Sequence, residues 1–559
     1  MNNENLTQTG FAQTAFTQTG FALLGDEAVA LGAIHAGISA AYGYPGTPSS
    51  EIMQYLIDEF EKGGPVARWC SNEKTALEAA LGVSFAGRRA LVTTKHVGLN
   101  VAADPLINAA LLKIKGGLVI AVADDPGMHS SQNEQDSRFY SNFALIPCLE
   151  PRNQQEAYEM IREAFDISEK FNVPVLVRLV TRLAHARAAV TPKQARDQNP
   201  VSKTTDIKGW VLIPSCARKN YSDLLDKQKD IQEWSSNHPV NKLTGSIKES
   251  VVTDLAIITS GLGGNYYEEN LEEFTALRKK EGKEAPIHLH IGAYPLPEKK
   301  IRSICAHAEK VIIIEEGQPF ILQTVFGITG NNRKSIIPCG ELDPDNIREA
   351  LGLKPRESIS LKIDNLPQRP PVLCQGCPHI DSYQSIKKAV SALDSRPGHP
   401  DVGINSDIGC YSLGVAEPLA VPESIVCMGA CVGMAKGASE AGLKYSLAVI
   451  GDSTFIHSGI TPLIDAVDAN ASMTLIILDN SSVAMTGCQP TIVKSKNLKN
   501  LILGCGVNPD HLLILDTKPS LVEENAVKLK TEIEYKGLSV VIFVRECLEA
   551  IRKQKSKSK

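Results

Sequence analysis

The sequence predicts an α/β protein assembled from several parallel-sheet domains. Three observations predict it. Apolar runs of strand length recur along the chain, bounded by Gly, Pro or charge, with helix-like stretches between them. Polar and proline-rich stretches interrupt this pattern twice and divide the chain into three α/β units. An acidic residue, Asp452, and a carboxamide, Asn480, each follow an apolar run and lie 28 positions apart, the length of one strand–helix–strand crossover.

Taken in order, residues 1–23 contain the repeat Thr7-Gln8-Thr9-Gly10-Phe11 and Thr17-Gln18-Thr19-Gly20-Phe21 and read as a flexible polar leader. They lack the basic and apolar regions of a secretory signal. The first unit spans 24–190. Residues 26–37 carry a helical pattern ending at Gly37, and the runs 90–94, 118–123 and 175–180 are strand-like. Residues 191–250 turn polar and read as a linker or surface insertion. The second unit, 251–355, begins with Asp254-Leu-Ala-Ile-Ile-Thr-Ser-Gly and continues through strand-like runs at 287–291 and 311–314. Pro367, Pro370 and Pro371 make 356–371 a linker. The third unit, 372–559, has strands near Ile404 and Ile425 and at 447–450, 474–478 and 538–544, with a solvated Lys/Ser tail at 553–559.

The 559 residues are 43% hydrophobic and 22% charged, as in ordinary globular proteins. A net charge of −5 argues against a nucleic-acid binder. No apolar run reaches the length of a membrane span. The cytoplasm is the expected location, so most of the 13 Cys are expected as thiols or metal ligands rather than disulfides.

Asp452 and Asn480 are expected at the carboxyl ends of adjacent parallel strands, where such sheets bind ligands. Two hard oxygen donors there suit Mg²⁺ that also carries a diphosphate. Gly451 and Gly459 leave room for close backbone approach. The alternative is an ordinary crossover with a polar turn. In the first unit, Gly43-Tyr-Pro-Gly-Thr-Pro-Ser-Ser-Glu51 reads as a turn into a capped helix. Asn72 can cap a helix running through Ala86, which leaves Glu73 in its first turn as a dipole partner. The segments 93–100, with Lys95, His96 and Asn100, and 124–136 are polar loops expected at strand ends.

Together these segments resemble the 2-oxoacid:ferredoxin oxidoreductases, and most closely the large-subunit family that acts on indolepyruvate. The matching pieces lie at 43–51, 72–76, 95–105, 124–136, 374–379 (Cys-x-Gly-Cys-Pro-His), 407–411 (Asp-Ile-Gly-Cys-Tyr) and 450–489. The resemblance covers about 24–547. It implies thiamine-diphosphate (ThDP) domains at both ends and a transketolase-C-terminal-like domain between them. It further implies oxidative decarboxylation of an aryl 2-oxoacid, with CoA as acyl acceptor and ferredoxin or a similar carrier taking the electrons. A non-oxidative ThDP decarboxylase or lyase is the alternative, and a non-catalytic scaffold is a third reading.

The resemblance implies Asp452, Asn480 and the Ser482 carbonyl as Mg²⁺ ligands, and Glu73 as the carboxylate against the aminopyrimidine N1′. Thr47 is implied in substrate polarisation. Asn100, His379, Gly409, Cys410, Gly429, Gly451 and Ser453 are implied as cofactor-lining residues. The family usually has Gly where this chain has Ser453 and Asn-Asn where it has Asp479-Asn480. Met485 replaces the Asn of pyruvate-type relatives, which fits a different, aromatic substrate. Cys374 and Cys377 have ligand spacing, and with Cys410 they match three ligands of a [4Fe-4S] cluster in the resembling enzymes. Cys547 is the preferred fourth, with Cys505 and Cys488 as alternatives. A turn with buried thiols is the plainer reading. The resembling subunits continue into a ferredoxin-like domain whose Cys motifs are not found before Lys559. A smaller, gamma-type partner subunit and a dimer or α2β2 assembly are also implied.

Overall fold

The computed structural model describes residues 20–60, 64–245, 247, 252–329, 371–485, 488–491 and 495–557. The leader through residue 19, residues 330–355 of the second unit and the linker at 356–370 lie outside them.

Two parallel sheets frame the molecule. The first has seven strands in the order Ala293–Tyr294, Cys148–Leu149, Val175–Val180, Leu118–Asp124, Ala90–Lys95, Ala40–Gly43 and Val66–Trp69. Its long central strands are buried along their whole length because helices cover both faces, so they read as continuous apolar runs. The second has six parallel strands in the order Ser424–Ile425, Val402–Ser406, Tyr445–Gly451, Met473–Asp479, Leu538–Val544 and Leu512–Asp516. Between them in the chain lies a four-stranded sheet in the order Ala308–Ile314, Thr253–Ser260, Ile287–Ile291 and Leu243–Thr244.

Three features depart from the sequence reading. Residues 21–23 are part of a strand, Phe21–Leu24, paired antiparallel with Arg187–Val190. The polar stretch 191–250 contains a 24-residue helix, Pro214–Asn237, which starts on a proline and buries Asn220, Leu224, Ile231 and Ser235. The same stretch stitches the first unit to the last: Leu212 N donates to Ile425 O at 2.8 Å and Ile425 N to Trp210 O at 2.9 Å. Ala293–Tyr294 leaves the second unit and extends the edge of the first sheet, antiparallel to Cys148–Leu149.

Buried charge fastens that second junction. Arg178 and Arg138 are fully buried and pair with Asp124, Asp136 and Glu150. Arg178 also donates to Glu316 O at 3.1 Å, and Arg138 to Gln318 O at 3.1 Å. Both guanidiniums are paired, but the carboxylates outnumber them, and burial raises Asp124.

The first and last units also meet directly. Helix Glu73–Phe85 crosses helix Ala430–Glu440 so closely that a Cβ at Gly437 would sit 1.8 Å from Ala79 O, and one at Gly82 would sit 2.0 Å from Met434 O. Only glycine permits this approach. Ser71 N and Thr75 Oγ1 donate to the Asp465 carboxylate at 2.8 and 2.7 Å. Among the described residues no helix is long and apolar enough to cross a membrane.

Candidate active site

Strands Tyr445–Gly451 and Met473–Asp479 are parallel neighbours, with Gly451 opposite Leu478. The helical crossover 452–468 joins them. Asp452 and Asn480 therefore stand side by side at the carboxyl edge, as the sequence predicts. A cavity of about 160 Å³ opens there. Eight of the sequence-predicted residues line it: His379, Gly409, Cys410, Gly451, Asp452, Ser453, Asn480 and Ser482.

Its polar floor is short of donors. Ser453 N donates to Asp452 Oδ1 at 2.8 Å, yet Asp452 Oδ2 is buried and has no hydrogen-bond partner. Asp479 Oδ2 is buried and unpartnered too. Burial first, and the facing Asp479 carboxyl second, push Asp452 up to about 7. Two facing carboxyls without a donor between them must share a proton or take a cation. Asp479 was not singled out as a site residue from sequence; its only signal there is the departure from Asn-Asn.

Asn480 is held from both sides. Its Oδ1 accepts from Ser482 N at 3.0 Å, and its Nδ2 lies 3.2 Å from His379 Nε2. Burial lowers His379 to about 4, so the ring is neutral and Nε2 accepts that amide proton. Asp407 Oδ2 accepts from Gly429 N at 2.9 Å, fixing the start of helix Ala430–Glu440. Burial raises Asp407 to about 6 against those N–H donors. Gly429 has φ +95°, and a Cβ there would meet Ser458 at 2.5 Å. It borders Met428, which lines the cavity.

Glu73 lies in the first unit and does not line this cavity. Asn72 Oδ1 accepts from Thr75 N at 2.9 Å and caps helix Glu73–Phe85, so Glu73 is its first residue. Its carboxylate lies against Gly98, where a Cβ would come within 2.3 Å of Oε1. The adjacent Lys74 Nζ is 3.1 Å from Glu78 Oε1, 2.8 Å from Asp104 Oδ2 and 3.5 Å from Cys427 Sγ. Cys427 directly precedes Met428, so Lys74 ties the helix start to the cavity wall. Burial raises Glu78 to about 8, with Lys74 opposing.

Other predicted residues lie in the first unit but not in the cavity lining. Thr47 is exposed, and its carbonyl accepts from Ser130 Oγ at 3.1 Å. Asn100 Oδ1 accepts from Tyr140 Oη at 2.5 Å. Lys95 Nζ donates to Ser130 O at 2.8 Å, and His96 Nε2 lies 3.1 Å from Asn133 O. Although burial opposes it, hydrogen bonds from Ser131, Ser130 and Thr181 hold Asp125 well below the carboxylate range. Much of the 124–136 segment is thus structural.

A second cavity of about 80 Å³ adjoins the first. Cys374, Cys377, Cys410 and Cys547 all line it. The two cavities share His379, Cys410, Asn480 and Ala484. Burial raises the Cys377 and Cys410 thiols to about 11, with the neighbouring cysteines adding to it. Cys547 N donates to Asn480 O at 3.1 Å, which anchors this thiol to the end of strand Met473–Asp479. Cys505 packs instead in the core beside helix Ser495–Gly504. Cys488 is near Cys410 but does not line the cavity.

Parallel sheets with a cavity at the carboxyl edge of their strands define an α/β protein that binds a ligand there. Residues 31–222 match the family described as pyruvate flavodoxin/ferredoxin oxidoreductase, thiamine diP-binding, and residues 407–514 match the thiamine pyrophosphate enzyme C-terminal TPP-binding domain. The chain is 37% identical to the indolepyruvate oxidoreductase subunit IorA of Archaeoglobus fulgidus, covering 94% of this chain and 86% of that one. It is 33% identical to the IorA of Methanothermobacter thermautotrophicus over the same shares. The 2-oxoglutarate:ferredoxin oxidoreductase of Magnetococcus marinus is a more distant likeness, with 19% identity, a TM-score of 0.44, and 53% of this chain and 58% of that one covered. The chain belongs to the IorA family of large subunits within the 2-oxoacid:ferredoxin oxidoreductases.

Proposed function

We propose that this chain is the catalytic subunit of an enzyme that oxidatively decarboxylates an aryl 2-oxoacid, of indolepyruvate or phenylpyruvate type, to its acyl-CoA. The enzyme would work in the cytoplasm with ferredoxin or another low-potential carrier as electron acceptor, and a bound iron–sulfur cluster would supply one-electron chemistry. One observation carries the reading: the cavity that holds the unpartnered Asp452 carboxylate shares a wall with the cavity that holds four thiols.

Bound ThDP supplies a carbon nucleophile and an electron sink for loss of CO₂. The residues divide the remaining work. Asp452, Asn480 and the Ser482 carbonyl would hold Mg²⁺, which would neutralise a diphosphate; Asp479 adds charge beside them. Gly409, Gly429, Gly451 and Ser453 give the coenzyme room and backbone donors. Glu73 holds a proton at the aminopyrimidine N1′. Thr47 polarises the substrate carbonyl, and Asn100 borders that region. Cys374, Cys377, Cys410 and Cys547 would hold a [4Fe-4S] cluster, and Cys410 and His379 line both cavities. The apolar lining from Met428, Val483, Ala484 and Met485 suits an aromatic acyl group.

A smaller gamma-type subunit completes the enzyme. The test combines both subunits with ThDP, Mg²⁺, CoA and a low-potential dye under anaerobic conditions. Dye reduction that requires an aryl 2-oxoacid is expected. Release of free aldehyde without an acceptor would indicate a non-oxidative decarboxylase instead, and no turnover with any 2-oxoacid would overturn the proposal.

A further inference from the structure

A second cluster of ligating side chains lies on the first unit, outside both cavities. Asp26 is in the first turn of helix Gly25–His35, Glu51 in the first turn of helix Ser50–Phe60, and His185 ends helix Thr181–His185. One potential ligand atom from each lies within 4.8 Å of the others. Asp26 is 0% exposed, and neither of its carboxylate oxygens has a hydrogen-bond partner; Glu51 Oε2 is buried and unpartnered as well. Glu27, next in sequence, is occupied elsewhere, accepting from Leu24 N at 2.8 Å and pairing with Arg187. Burial, and then the facing Glu51, push Asp26 well above the carboxylate range.

We propose that Asp26, Glu51 and His185 form a site for a divalent transition metal, Zn²⁺ by preference. His185 Nε2 and Glu51 Oε2 are 3.6 Å apart, too far for a hydrogen bond. Two ligands at Zn²⁺ bond lengths on a tetrahedral ion stand about 3.4 Å apart. One imidazole among carboxylates favours Zn²⁺ over Mg²⁺ or Ca²⁺, which prefer oxygen alone. Glu51 and His185 are partly exposed, so water can enter and complete the coordination.

The ion would clamp three helix ends. Glu51 lies four positions beyond Thr47 in the same turn-to-helix segment, and Thr181, at the head of the His185 helix, donates to Asp125 at 2.7 Å. The clamp would therefore brace the Thr47 turn from below. This site is independent of the reading of the ThDP cavity.

The experiment dialyses the full chain as purified, wild type and the D26N and H185Q variants, against a weak chelator and then against Zn²⁺, with zinc counted per chain. Wild type is expected to retain one Zn²⁺ more than either variant. H185Q should weaken that ion by about tenfold or more, since even outer-shell changes cost that much. Zn²⁺ should raise the melting temperature of wild type alone. Equal zinc content in all three proteins, or equal melting shifts, would overturn the site and leave a proton shared by Asp26 and Glu51. His185 is surface-exposed, so H185Q carries the test if D26N fails to fold.

Discussion

In the proposed function, coenzyme binding turns on Asp452. Its carboxyl is raised to about 7 in the metal-free chain, by burial and by Asp479. A carboxyl raised on folding stabilises the fold below its unfolded value of about 4, and that contribution is lost as pH rises through about 7. The upper bound is about 4 kcal/mol. Without Mg²⁺, wild type should lose stability relative to Asp452→Asn between pH 4 and 7, measured by urea unfolding. Because Mg²⁺ displaces the proton, ThDP–Mg²⁺ should bind more tightly at pH 8 than at pH 6, and calorimetry reads this directly. Asp452→Asn should remove both the pH dependence and most of the affinity. Glu73→Gln separates binding from chemistry: kcat should fall about 10²–10⁴-fold, the range for a lost proton-transfer group, while ThDP affinity measured by calorimetry changes little. A parallel loss of affinity would mean that Glu73 serves only the helix start.

The elements show why some of this was legible. Strands Val175–Val180 and Leu538–Val544 match the sequence reading end to end, because strands covered on both faces read as near-continuous apolar runs; Ile287–Ile291 matches too, as an alternating Ile-His-Leu-His-Ile run. Asp452 and Asn480 were legible because each directly follows such a run. Helix Pro214–Asn237 was not, since only Asn220, Leu224, Ile231 and Ser235 of its 24 residues are buried and the rest reads as linker. Ala293–Tyr294 was invisible because a two-residue edge strand has no period. Asp479 and Lys74 owe their roles to partners far away in the chain, Asp452 and Cys427. Two predictions belong to this scale. Gly437→Val forces a side chain into Ala79 O and should destabilise the protein by about 1–3 kcal/mol or more, seen as a lower urea midpoint. Cys547→Ser should abolish bound iron and acid-labile sulfide while calorimetry still registers ThDP.

The whole molecule is held by junctions between units rather than by one continuous sheet. The buried Arg138 and Arg178 network fastens the second unit to the first. The segment around Val211 fastens the first to the last. The crossing of helices Glu73–Phe85 and Ala430–Glu440 packs the first unit against the last within a single polypeptide, and Lys74, next to Glu73, reaches Cys427. That crossing has a genetic consequence. If Glu73 and Asp452 of one chain serve one coenzyme, as proposed, two differently crippled copies cannot rescue one another. Co-expressed Glu73→Gln and Asp452→Asn subunits should stay as dead as either alone; recovery near one quarter of normal turnover would instead reveal that neighbours trade halves.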